Sequence, residues 1–146
     1  MADLYAENPA LGEEINKIIL DGDKYRHRKD IDSALLCYEK AWSLVPEPKL
    51  QWAMPPYWIA SSFFSAYFDK CDYEKAKEWG EILLKVKASN DTGPIVSLGM
   101  ACFELRQYDE AYQYFHDAYS YGKKRAFQER PKKYLEFYLD RSKFEK

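Results

Sequence analysis

The sequence predicts an all-α fold, a solenoid of three helical hairpins closed by a C-terminal capping helix. Three observations carry this prediction. Apolar residues recur three and four positions apart along most of the chain, which gives each helix one stripe to bury. The stripes come in pairs separated by only a few residues, and so short a connection forces the two helices antiparallel. The pairs then repeat: Tyr108-Asp109-Glu110-Ala111 matches Tyr73-Glu74-Lys75-Ala76 and Ile31-Asp32-Ser33-Ala34, with alanines 35 and 42 residues apart.

Taken in order, Asn8-Pro9 reads as a helix cap followed by proline in the first turn. That helix carries Leu11, Ile15, Ile18, Ile19, Gly22 and Tyr25 toward Arg28. Asp30 caps the next helix, which runs through Leu35, Leu36, Tyr38, Ala41 and Trp42 and completes a hairpin over about 9–46. Pro46, Pro48, Pro55 and Pro56 exclude a continuous helix, so this stretch is an irregular joint. Its apolar Leu50, Trp52 and Met54 are expected to fold back over the first hairpin, because exposed apolar clusters are uncommon on monomers.

The second hairpin spans about 55–88, with Asp72 in the place that Asp30 holds in the first. Each carboxylate can accept from free amides at a helix start. In the third, about 92–122, Gly93-Pro94 opens a stripe of Ile95, Leu98, Ala101, Cys102 and Leu105. Arg106-Gln107 interrupts it, and Tyr112, Phe115, Ala118 and Tyr119 form the next. Gly99, Ala111 and Ala118 are small where the stripes should meet, so the backbones can approach closely. The last helix, about 131–143, presents Tyr134, Leu135, Tyr138 and Leu139 on one face with Phe137 beside it. A repeat array needs its final apolar edge covered, and this helix is placed to do so.

At 146 residues the chain is expected to be a single domain with a continuous core. A net charge of −2 and a pI near 5.8 argue against nucleic-acid or anionic-membrane partners. No secretory signal or membrane-length apolar stretch is visible, so the expected setting is the cytoplasm. Cys37, Cys71 and Cys102 are odd in number and widely spaced, which fits buried, reduced thiols rather than disulfides or a zinc site.

No cofactor and no catalytic apparatus is expected. Asp91-Thr92-Gly93 spells the tripeptide around an aspartic-protease carboxylate, but that chemistry needs two such groups sharing a proton. A single copy before a helix-opening proline reads as a cap. His27 and His116 lie in different hairpins without ligands at metal-binding spacing. The six glycines form no phosphate-cradling loop. The basic residues Lys123, Lys124, Arg125, Arg130, Lys132 and Lys133 read as solvated charges around a helix junction.

The repeat resembles the tetratricopeptide (TPR) family, whose period is about 34 residues. Leu98, Gly99, Cys102, Tyr108, Ala111, Phe115 and Ala118 take its signature places in the third unit, as do Gly22, Tyr25, Ala34, Tyr38, Ala41 and Pro46 in the first. The middle unit departs from the pattern, with Phe64 where glycine is usual, Gly80 for a large aromatic and Leu83 for alanine. The resemblance covers about residues 15–125. It implies a concave groove lined by the first helix of each hairpin.

Carried over by register, the groove would take Asn16, Leu20, Asp23, Arg26 and His27, then Trp58, Ser61, Ser62, Ser65 and Asp69, then Val96, Ser97, Met100 and Glu104. Its small serines beside Trp58 leave room for an inserted peptide or helix. The places by which chaperone-binding TPR domains grip a C-terminal carboxylate hold Ile19, Asp23, Ser62, Gly93 and Ser97 here, so that clamp is missing. Asp23, Asp69 and Glu104 against Arg26 favour a neutral or basic partner. The implied function is non-catalytic protein binding. The short array and its tail also resemble small bacterial TPR immunity proteins that mask a cognate toxin. An adaptor or chaperone for a secreted or assembling protein is the alternative, and self-association through the Trp52 region is a third arrangement.

Overall fold

The helices of the computed structural model, described for residues 2–142, pair in chain order. After a short α1 (Leu4–Glu7), α2 (Pro9–His27) packs on α3 (Ile31–Leu44), α4 (Pro56–Asp69) on α5 (Tyr73–Val86), and α6 (Gly93–Glu104) on α7 (Tyr108–Gly122). α8 (Lys132–Ser142) follows a 3-10 turn at Lys123–Phe127. Position 143 of the expected last helix lies outside the described residues. The chain is all-helical, with no strand among the described residues. The contacts gather into two compact units, one running to Lys87 and the other starting at Ala88.

The caps form where the aspartates predict them. Asn8 Oδ1 accepts from the Leu11 amide at 3.3 Å, Asp30 Oδ1 from Ser33 at 3.2 Å and Asp72 Oδ1 from Lys75 at 3.3 Å. The three hairpin turns also share one backbone geometry. Lys29, Cys71 and Arg106 adopt left-handed φ values of 67°, 64° and 62°. Just beyond each, the amides of Asp30, Asp72 and Gln107 donate to Tyr25, Tyr67 and Cys102 carbonyls at 2.9, 2.9 and 2.8 Å. This is the helix-ending motif in which one left-handed residue lets an amide reach back five positions. Cys71 is therefore exposed at a turn rather than buried as expected, whereas Cys102 is buried and Cys37 half-buried.

In the first unit, Tyr38, Ile15, Ile19, Ile59 and Phe63 form a core with almost no exposed area. The proline-rich joint folds back as predicted at Trp52, which is buried and donates Nε1–H to the Pro46 carbonyl at 3.1 Å. The Ala2 amide donates to the Gln51 carbonyl at 3.2 Å, and α1 buries Leu4. Met54, two residues beyond Trp52, stays exposed.

In the second unit, α8 buries Tyr134 and Tyr138. Tyr134 and Phe137 meet Phe103 edge-on at 5.3 and 5.2 Å between ring centroids, and Phe127 packs against Phe115 at 5.4 Å. These aromatic side chains fasten the tail to α6 and α7.

Candidate functional site

The predicted groove residues fall in both units. Those of α2 and α4 belong to the first, and the two helices touch there. Arg26 Nη2 lies 4.0 Å from Asp23 Oδ1 and its Nη1 lies 3.9 Å from Asp69 Oδ2, so one guanidinium joins the two helices. Its Nε is buried without a hydrogen-bond partner. Asp23 also accepts from the Tyr38 hydroxyl at 2.5 Å. Burial, reinforced by that carboxylate, pushes the Tyr38 phenol above its ordinary range. Leu20 is half exposed, His27 and Asp69 are exposed, and Trp58, Ser61 and Ser65 are partly so. These side chains make an accessible face.

Other predicted members are not available to a partner. Asn16 Oδ1 accepts from the Tyr5 hydroxyl at 2.7 Å, so α1 already uses it. Ser62 and Val96 are buried. Ser97 and Met100 are buried as well, and here the cause is visible: Arg130 donates to Ser97 Oγ at 3.1 Å, Met100 Sδ at 3.3 Å and the Gly93 carbonyl at 3.3 Å. The tail's own guanidinium fills the place expected for a partner. Glu104 is neutralised by Lys133 at 3.0 Å and accepts from the Tyr134 hydroxyl at 3.2 Å. The acidic excess predicted for the groove thus survives only at Asp23 and Asp69, against Arg26.

Two of the residues weighed for catalysis make hydrogen bonds within the fold. Asp91 Oδ1 accepts from the Gly93 amide at 3.0 Å, closing the turn before α6. His116 Nδ1 pairs with the Tyr138 hydroxyl at 2.8 Å, which ties α7 to α8. Among the described residues no group of three or more His, Cys, Asp or Glu is placed to hold a metal ion, and no helix is long and apolar enough to cross a membrane.

Sequence reasoning missed a second feature of the first unit. Between α3 and α5 lies a cleft of about 690 Å³ lined by Trp42, Phe63, Tyr67 and Trp79. Trp79 stacks on Phe63 at 4.0 Å and meets Trp42 edge-on at 5.2 Å. The available signal was Gly80 standing where a large aromatic is usual: Trp79, one position earlier, supplies the ring.

No protein-family model matches the chain, and no curated protein matches it either.

Proposed function

We propose that this chain is a non-catalytic protein-binding module, a TPR-like α-solenoid that recognises its partner on the first helices of its hairpins. The observation that carries the reading is Arg26, held between Asp23 of α2 and Asp69 of α4, on two helices that also carry the exposed Leu20 and the partly exposed Trp58. Large apolar groups next to small Ser61 and Ser65 give a partner side chain a place to insert, and two carboxylates against one guanidinium favour a neutral or basic partner. The repeated left-handed turns at Lys29, Cys71 and Arg106 support the repeat register on which the solenoid rests. The proposed setting is the cytoplasm.

Within protein binding, masking of a cognate toxin is the preferred role, and service as an adaptor or chaperone is the alternative. Capture from source cells by the tagged chain and by its Trp58→Ala variant separates them. A single partner that is toxic alone, silenced by the chain and lost by the variant supports masking. Several non-toxic clients support the adaptor. Proteins held equally by both versions would remove the first-helix face from the account.

A further inference from the structure

The geometry points to a second recognition site, independent of the first-helix face: the α3–α5 cleft takes a proline-rich peptide carrying a basic residue. Trp79 lies flat on Phe63 with an interplanar angle of 10°, and Phe63 lies nearly parallel to Tyr67 at 11°. Trp42 meets Trp79 at 86°. Rings in direct contact leave no slot between them, so an ammonium cannot be sandwiched as in an aromatic cage. What remains is a fixed ridged surface in which the half-buried rings of Trp42, Tyr67 and Trp79 flank the buried Phe63, and apolar proline rings can pack onto it.

A polyproline helix has no internal hydrogen bonds, so its carbonyls need outside donors. Among the described residues the indole N–H groups of Trp42 and Trp79 donate to no protein acceptor, and neither is sealed from water. Burial raises the Tyr67 phenol, which keeps its O–H available as a third donor.

The charges add the basic residue. Lys49 Nζ is already committed to the Trp42 and Val45 carbonyls at 2.7 and 2.9 Å and lies 3.7 Å from Glu47. Lys49 also lines the cleft, with its ammonium 5.6 Å from the Trp42 ring centroid, and its charge is offset by Glu47; Glu39 and Glu78, both exposed, then stand against Lys75. The balance is one negative charge, complementary to an arginine or lysine flanking the prolines.

The test is selection of a random octapeptide phage library on the intact chain, followed by tryptophan-fluorescence titration of synthetic copies of the winners. Selected sequences should carry prolines three residues apart with a nearby Arg or Lys, and should lose binding to Trp79→Ala. Because that variant could loosen the core, the paired change Glu39→Lys with Glu78→Lys provides a surface-only check. It should weaken binding about tenfold, and replacing the peptide's basic residue by Glu should restore it. Trp58→Ala and Leu20→Glu should leave these affinities unchanged, which separates this site from the first-helix face. Selection of proline-free sequences, no selected sequence at all, indifference to the charge reversal, or occupation of the cleft by a second copy of the chain would each overturn the proposal.

Discussion

A Cβ built on Gly99 would stand 2.4 Å from Cε1 of Phe115, closer than any two such carbons can lie. Gly22 stands in the same relation to Tyr38, at 2.6 Å. Both aromatic rings are fully buried and have nowhere to retreat. The middle hairpin exchanges the sizes, with Phe64 at the glycine position and Gly80 at the aromatic one, and both are buried. Glycine here serves close packing, since no glycine has a positive φ.

Gly99→Ala should therefore destabilise the protein although alanine is the better helix former. Overpacking costs roughly 1–3 kcal/mol, while the propensity gain is about 1 kcal/mol, so a net loss of up to about 2 kcal/mol is expected. Adding Phe115→Leu should return part of it. Chemical denaturation of the two variants checks this, and a rise in midpoint for Gly99→Ala alone would contradict the close crossing.

At the hairpin turns glycine is missing where it would help. Arg106 and Cys71 hold left-handed conformations that cost a side-chain-bearing residue roughly 1–2 kcal/mol. Arg106→Gly or Cys71→Gly should stabilise by about 0.5–1 kcal/mol after the entropy of a freer unfolded chain is subtracted. Unchanged or lower melting temperatures would argue against these turn geometries.

Alkaline pH should weaken the fold through Tyr38. Its phenol is raised in the folded chain by burial and by Asp23, so its stabilisation is complete below the unfolded value, about 10, and is lost as pH climbs through the higher folded value. Tyr38→Phe should cost about 1–3 kcal/mol near neutrality, and the gap from wild type should close above about pH 10. A gap independent of pH would show that the phenol does not carry the effect.

Removing the tail's anchor should loosen the second unit. Arg130→Ala deletes the donors to Ser97, Met100 and Gly93 and leaves buried acceptors facing a void, a loss of about 1–3 kcal/mol. Hydrogen exchange should rise in α6 and α8 while the α2–α3 hairpin keeps its protection. Unaltered exchange in α6 would mean that Arg130 is only decorative.

The sequence made the helix pairs, the aspartate caps and the small residue facing Phe115 legible, because each leaves a local mark in residue type or spacing. The left-handed turns were hidden, since Lys29, Cys71 and Arg106 carry no glycine signal. Half of the proposed face was legible too: Leu20, Arg26, Trp58 and Asp69 follow from helical register. Register could not reveal that Arg130, thirty residues further on, covers Met100, or that Tyr5 claims Asn16. Those contacts depend on where irregular segments return, which no period encodes. The Trp42–Trp79 cleft stayed hidden for the same reason, because its walls come from two different hairpins.

The central claim is tested most directly by calorimetric titration of the captured partner against wild type, Trp58→Ala and Leu20→Glu, each variant first shown to melt like wild type. Each substitution is predicted to weaken binding at least about thirtyfold, equivalent to about 2 kcal/mol, with Glu110→Ala on α7 unchanged as the control. Wild-type affinity in both first-helix variants would contradict the claim.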